Sequence, residues 1–202
     1  MTRADNYLTA RDQARALFLE WDQERVIRRA GIDADRESMY VSLIDQRCRV
    51  DRETGRVYLP DGVQAGFDET LTVYDYLCRE EPIPGEGQWV TMGNLPHTGQ
   101  TRPETKSLFS REAAHMQARV SDLPEALRRM GGEPFPRGDI AYIVPIVGRM
   151  RAVLQFWAGD DEFPPNAMFL WDANAWQKLK VETMYYAMGC FFRRLRAILS
   201  EI

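Results

Sequence analysis

Three consecutive acidic residues follow an apolar run and precede two prolines, in the segment W-A-G-D-D-E-F-P-P. Neighbouring side chains on an extended chain point to opposite faces, so Asp160 and Glu162 can converge while Asp161 points away. Two converging carboxylates can bind Mg²⁺ or Ca²⁺ through oxygen, or raise each other's pKa for acid–base catalysis. The same residues are typical of a turn in which an Asp side chain accepts backbone N–H bonds. The pattern leaves both interpretations open, and Asp160 and Glu162 are the candidate metal ligands.

Two further acids could join this cluster. Asp172 ends a later apolar run, where an Asp can cap the helical turn that follows. Glu182 lies near the predicted start of the last helix, where the helix dipole favours an acid. With the neighbouring rings, the candidate ligand-binding residues are Trp157, Asp160, Asp161, Glu162, Phe163, Asp172 and Glu182. No residue is assigned a catalytic role.

Bulky aromatic residues are concentrated in the same part of the chain. They are Trp157, Phe163, Phe169, Trp171 and Trp176. Such rings commonly form a hydrophobic core, and they can also form the wall of a pocket for a flat ligand. The sequence alone does not choose between these two roles.

Several kinds of site have no supporting motif. The chain has no G-x-x-x-x-G-K-[ST], G-x-G-x-x-G or G-x-S-x-G. His97 and His115 are too far apart for a short zinc motif. The three cysteines, Cys48, Cys78 and Cys190, lack C-x-x-C spacing, so we predict free thiols and neither a disulfide framework nor an iron–sulfur or zinc site.

The scattered cysteines fit a protein of the reducing cytoplasm, and composition and charge limit its partners. Hydrophobic residues make up 45% of the 202 residues, which is enough for an ordinary core. The net charge of −4 gives no general attraction to nucleic acid or to an anionic membrane. We find neither an apolar signal core at the N-terminus nor an apolar run long enough to span a membrane. The expected partner is a small molecule or another protein.

Hydrophobic periodicity predicts the elements that position these residues. Apolar residues recur at helical spacing from residue 4 to about 30, where Gly31 is a stop signal, and alternate with polar ones over 39–60. A helix is predicted from Asp68 or Thr70 to about Glu80, followed by an irregular stretch over 82–108. Two helical pieces are predicted over 109–130, with Ser110 as the cap of the first. The remaining predicted elements are a hairpin over 139–157, a strand over Ala167–Trp171 and an amphipathic last helix.

The order of these elements indicates the fold class. Helices are interleaved with antiparallel hairpins, and no alternating βαβ pattern occurs. Pro145 lies inside a predicted strand, which indicates a bulge or a free edge there. We predict an α+β fold, with an antiparallel sheet built from hairpins and packed against amphipathic N-terminal and C-terminal helices. Residues 1–202 are predicted to form a single domain.

Three segments carry a resemblance to a known family. They are G-G-E-P-F-P-R-G-D-I-A at 131–141, L-Q-F-W-A-G-D-D-E-F-P-P at 154–165 and F-L-W-D-A-N-A at 169–175. In sequence and order they resemble the domain of unknown function 3786 family. The resemblance implies no activity. It does imply a setting in anaerobic redox or corrinoid metabolism, because the family's relatives occur mainly in anaerobic bacteria and some join this domain to an iron–sulfur domain like that of corrinoid proteins. This chain lacks the cluster cysteines.

Three functional hypotheses follow. The first is a ligand-binding or accessory protein, linked through the resemblance to anaerobic redox or corrinoid metabolism. Its pocket would lie between the hairpin at 139–157 and the stretch at 82–108. The second is a carboxylate-dependent hydrolase with a divalent cation, which requires acids that converge in a cleft. The third is an interaction module that uses the terminal helix, which requires an exposed apolar patch.

Overall fold

A computed structural model describes residues 3–78, 87–96 and 103–202, without the side chains of residues 3–8 and 103–108. The helices are α1 (Arg3–Glu20), α2 (Gln23–Ala30), α3 (Phe67–Leu77), α4 (Pro103–Gln117), α5 (Leu123–Arg129) and α6 (Val181–Glu201). The strands are β1 (Asp33–Ala34), β2 (Ser38–Leu43), β3 (Gln46–Asp51), β4 (Val57–Tyr58), β5 (Trp89–Thr91), β6 (Glu133–Pro134), β7 (Ile140–Val147), β8 (Met150–Trp157) and β9 (Asn166–Asp172). Single 3₁₀ turns occupy Met92–Asn94 and Ala175–Gln177.

All strand pairs within the described residues are antiparallel, and they form a single sheet. Its main order is β4-β3-β2-β7-β8-β9-β5, while β1 pairs with β2 and β6 pairs with β7. Most neighbouring strands in the sheet are also consecutive in the chain and form hairpins, as segments of alternating apolar and polar residues joined by short turns predict. The two hairpin groups meet where Leu43 pairs with Val147. The α+β class and the hairpin-built antiparallel sheet are therefore confirmed.

The predicted irregularity at Pro145 is a β-bulge. The register of β7 against β8 shifts between Pro145 and Val147. Proline lacks the N–H that a ladder position requires, so a bulge accommodates it inside a central strand. The bulge lies next to Gly148, at the turn that joins β7 to β8.

Helices from both ends of the chain pack on the sheet. In α6, Phe191 and Phe192 meet Phe169 of β9 with ring centroids 5.2 and 5.7 Å apart. In α1, Phe18 stacks on Tyr74 of α3 at 5.0 Å. The apolar stripe of α6 thus forms part of the main core, as its 3.6-residue period predicts.

The predicted helix over 4–30 is two helices, which corrects that boundary. The Asp22 carboxylate accepts the Arg25 N–H at 3.1 Å and so starts a new helix at Gln23. The stop at Gly31 is confirmed, because this residue ends α2 with φ of 60°.

Three other predicted boundaries are wrong. Gly66, which has no capping side chain, precedes α3 in place of Asp68 or Thr70. The helix expected to start at Ser110 already begins at Pro103. The stretch at 82–108 contains β5, a strand of three residues that exists because it pairs with β9. Part of that stretch, over 82–86 and 97–102 and including His97, lies outside the described residues.

No helix within the described ranges combines the length and the apolar character needed to cross a membrane.

Candidate functional site

The Asp160 carboxylate closes a tight turn. Its Oδ1 accepts the backbone N–H groups of Phe163 at 2.8 Å and Glu162 at 2.9 Å, and the Asp160 N–H donates to the Phe163 carbonyl at 2.9 Å. The N–H donors of Phe163 and Glu162 lower the pKa of this carboxyl below its usual value. This is the arrangement expected of an Asp that stabilises a turn by accepting local backbone amides.

The other residues around this turn point to solvent. Asp161, Glu162 and Phe163 are all exposed, and 67% of the Phe163 side chain is accessible. Trp157 is half-buried at the end of β8, where it pairs with Asn166 of β9. The N-terminal side of the turn is fixed by Gln117, whose Oε1 accepts the Gly159 N–H at 2.9 Å.

Asp172 lies at the opposite end of the β8–β9 ladder. Trp157 pairs with Asn166 at one end, and Ala152 pairs with Trp171 at the other. At about 3.3 Å per residue, Asp172 is roughly 20 Å along β9 from Asn166. The acids on either side of this strand therefore do not share a cavity.

Asp172 is 8% exposed and accepts the Gly87 N–H at 2.9 Å and the Asn174 N–H at 3.2 Å. It lines a cavity of about 290 Å³ together with Trp89 and Lys178. Burial lowers the pKa of the Lys178 ammonium, and the nearby Asp172 carboxylate opposes that shift. Asp172 is thus the predicted acid that lies where the pocket was expected, between the β7–β8 hairpin and the stretch that contains β5.

Glu182 lies in the exposed first turn of α6, as its favourable position in the helix dipole predicts. Across the described part of the chain, no group of three or more His, Cys, Asp or Glu side chains is arranged to hold a metal ion. The acids of the predicted cluster thus occupy separate places in the fold.

An apolar cavity of about 470 Å³ lies between β9, the end of β5, α4 and α6. Its wall includes three methionines and three aromatic residues, namely Met92, Met168, Met188, Phe109, Phe169 and Trp171. The polar side chains along it are Thr91, Ser110 and Asn166. Small-molecule sites commonly enclose about 300–1,000 Å³ and combine apolar walls with a few polar groups.

The aromatic wall follows from the alternation of β9. Ala167, Phe169 and Trp171 are spaced two apart, so they share one face of the strand. The Phe169 ring lies 5.9 Å from that of Trp171 and 6.5 Å from that of Phe109, which is roughly parallel to it.

Trp171 belongs to the cavity wall and carries a buried hydrogen-bond donor. The side chain is fully buried, and within the described residues its Nε1–H has no hydrogen-bond acceptor. A buried polar group without a partner carries a desolvation penalty of about 1–3 kcal/mol. A ligand that supplies an acceptor would remove this penalty.

The short length of β5 leaves room beside the cavity. Its last residue, Thr91, pairs with Leu170, so within the described residues no strand flanks the outer edge of β9 from Asn166 to Phe169. The chain then turns through Met92–Asn94, which brings Met92 and Gly93 to the cavity wall.

Comparison with known proteins gives one finding. The model of the domain of unknown function 3786 matches residues 22–194. The chain belongs to this family. No curated protein and no solved structure matches it.

The match to the domain of unknown function 3786 covers every wall of the apolar cavity, including the part of α6 that carries Met188. Sequence reasoning named Phe169 and Trp171 as possible pocket residues, but it did not find Met92, Phe109 or Met188. These three come from separate segments. Met92 lies in the stretch predicted to be irregular, whereas Phe109 and Met188 lie in predicted helices, where an apolar residue usually belongs to the core. The only available signal was the alternation of Ala167, Phe169 and Trp171.

Proposed function

We propose that this chain is a ligand-binding protein and that its ligand occupies the apolar cavity between β9 and helices α4 and α6. The observation that carries the proposal is Trp171, which belongs to the cavity wall and whose buried Nε1–H has no acceptor among the described residues. The expected ligand is flat and largely apolar, because aromatic rings form much of the wall. It carries one acceptor, such as a carbonyl oxygen or a ring nitrogen, for the indole N–H.

The methionines support an adaptable pocket. Met92, Met168 and Met188 lie on different elements around the cavity. Their unbranched, polarisable side chains fit irregular shapes and make favourable contacts with aromatic rings. The pocket is therefore expected to accept several flat ligands of similar size and to distinguish them mainly by the acceptor.

Neither alternative function gains a specific observation. A hydrolase with Asp160 and Glu162 as cation ligands would use an acid that already closes its own turn. An interaction module would present the apolar side of α6, and in that helix Phe191, Phe192 and Leu195 are buried.

We further propose a reducing cytoplasm as the compartment, with anaerobic redox or corrinoid metabolism as the setting. Support for the compartment comes from the cysteines, which are all free thiols and of which Cys48 and Cys190 are buried. Support for the setting comes only from the family's association with anaerobic bacteria.

Naphthalene and quinoline provide a matched pair of probes. They share a two-ring shape, and only quinoline has a ring nitrogen that can accept a hydrogen bond. The wild type should bind quinoline more tightly, by a factor of roughly 2–10, because one buried hydrogen bond contributes about 0.5–1.5 kcal/mol. Titration calorimetry measures both affinities.

The matched variant is Trp171→Phe, which keeps an aromatic ring and removes the N–H. It should bind both probes about equally, while Trp21→Phe, between α1 and α2 and away from the cavity wall, should keep the preference for quinoline. Equal binding of the two probes to the wild type, or binding of neither, would refute the proposed site.

A further inference from the structure

A separate, polar cavity lies where the β2–β3 turn, the β7–β8 turn and the end of α2 meet. Its volume is about 350 Å³. One residue from each of these three places, Gly31, Ile44 and Gly148, lines it, and all three have positive φ, at 60°, 58° and 55°. Three tight backbone turns thus form the wall of the cavity and fix the positions of its polar groups.

The Ile44 conformation is unusual. A β-branched residue rarely adopts positive φ, because its side chain crowds the backbone. Ile44 is 5% exposed, and its N–H donates to the Ile146 carbonyl at 2.8 Å, so the surrounding structure fixes it. Backbone strain that is held in this way recurs at ligand sites. In this protein, the hydrogen bond from Ile44 to Ile146 joins the β2–β3 and β7–β8 hairpins beside the cavity.

Two glycines allow side chains to approach the backbone closely. A Cβ at Gly148 would overlap the Tyr76 ring, and a Cβ at Gly31 would lie 2.5 Å from a terminal nitrogen of Arg149. The Tyr76 hydroxyl oxygen also accepts the Arg149 backbone N–H at 3.2 Å. Tyr76 and Arg149 are therefore positioned together at the wall of the cavity.

These two side chains retain unused donors. The Tyr76 oxygen acts as an acceptor, which leaves its O–H free to donate. Within the described residues, no acceptor faces that hydroxyl hydrogen and no carboxylate pairs with the Arg149 guanidinium. The acids at the cavity are already paired. Asp33 bonds Arg47 at 3.0 Å, and Asp45 bonds Arg194 at 2.7 Å.

We propose that this cavity binds an oxyanion, the phosphate or carboxylate group of a small ligand, through the Arg149 guanidinium and the Tyr76 hydroxyl. The planar guanidinium fork matches two oxygens of either group, and such charge-assisted bonds are roughly twice as strong as neutral ones. The site is independent of the apolar cavity, so either proposal can fail alone.

Inorganic phosphate and acetate are the probes, each titrated at constant ionic strength against chloride, with melting temperature and calorimetry as readouts. The wild type should bind at least one of them. Arg149→Gln should weaken that binding by about tenfold or more, since it removes a charge-assisted contact. Tyr76→Phe, which removes only the hydroxyl, should weaken it by a smaller factor.

Arg129→Gln is the matched control, because it removes an exposed arginine on α5 that is paired with Glu125. It should leave binding unchanged, and circular dichroism verifies that each variant is folded. Binding of phosphate alone or of acetate alone supports the site and identifies the preferred group. Binding of neither, or equal binding to wild type and Arg149→Gln, would overturn the proposal.

Discussion

At the scale of single residues, Asp160 shows how one pattern can serve two chemistries. Its spacing from Glu162 fits a pair of metal ligands and also fits a turn. In the fold, its carboxylate accepts two backbone N–H bonds. The resulting decrease in its pKa means that the charged form stabilises the folded state.

This pKa shift predicts a pH-dependent effect of Asp160→Ala. Because the folded pKa is lowered, the stabilisation is complete above the unfolded pKa of about 3.9 and is lost as pH falls through the folded pKa. The variant should therefore melt below the wild type at neutral pH, and the difference should shrink at pH below about 3.9. Thermal melting across this range measures it.

Asp161→Ala is the control, since the exposed Asp161 carboxylate closes no turn. It should show no comparable pH-dependent difference. A gain in melting temperature with Mg²⁺ or Ca²⁺ that Asp160→Asn with Glu162→Gln abolishes would contradict the turn assignment. It would indicate a cation site at these two acids instead.

At the scale of elements, α6 is the helix that closes the core over the sheet. Phe192 is 1% exposed, and its ring meets those of Phe109, Phe169 and Phe191 with centroids within 6.1 Å. The edge-to-face geometry of these pairs adds to the burial of the rings. Loss of this ring would open a cavity among three others.

Phe192→Ala should lower the free energy of unfolding by about 3–5 kcal/mol, the usual range for a buried phenylalanine. Urea denaturation measures the change. Phe163→Ala removes the same ring from an exposed position and should change it by no more than about 0.5 kcal/mol. A loss below about 1 kcal/mol in Phe192→Ala would contradict the packing described above.

The same denaturation experiment tests the prediction that residues 1–202 form one domain. A single domain should give one transition that is the same by tryptophan fluorescence and by circular dichroism. Two separated transitions would contradict that prediction and would leave the packing of α6 on β9 unaffected.

At the scale of the whole molecule, the three cysteines lie in different parts of the core. Cys48 lies in β3, Cys78 follows α3, and Cys190 lies in α6. Burial raises the pKa of Cys48 to about 12 and that of Cys78 to about 11, and it raises the pKa of Cys190 as well. All three are therefore protonated and poorly nucleophilic at neutral pH.

Alkylation should proceed slowly in the native protein near neutral pH, because the thiolate is the reactive form and all three pKa values are raised. After unfolding without reductant, intact mass should show three labels. The native sample serves as the control for access. A mass that accepts one label would reveal a disulfide and would contradict the expected reducing compartment.

Much of the fold was determined by local sequence patterns. Period-2 alternation predicts strands β2, β3, β7 and β8, Gly-containing turns predict the β3–β4 and β7–β8 connections, Pro145 predicts the bulge, and the apolar stripe predicts α6. These features depend on neighbours within a few residues, so the chain specifies them directly. Boundaries that depend on other segments, such as β5 and the start of α4, were not predictable in this way.

The candidate sites were decided by tertiary structure. The apolar cavity needs Met92, Phe109 and Met188 against Phe169 and Trp171, and no sequence spacing relates these segments. That the Trp171 Nε1–H has no acceptor among the described residues is likewise a property of the folded surroundings. Asp160 and Asp172 are only twelve residues apart in sequence, yet β9 runs between them and holds them at its opposite ends. The sequence by itself determined which residue types were present and how each strand alternates, because those depend on covalent order. Only the packing of distant segments decided which side chains share a cavity.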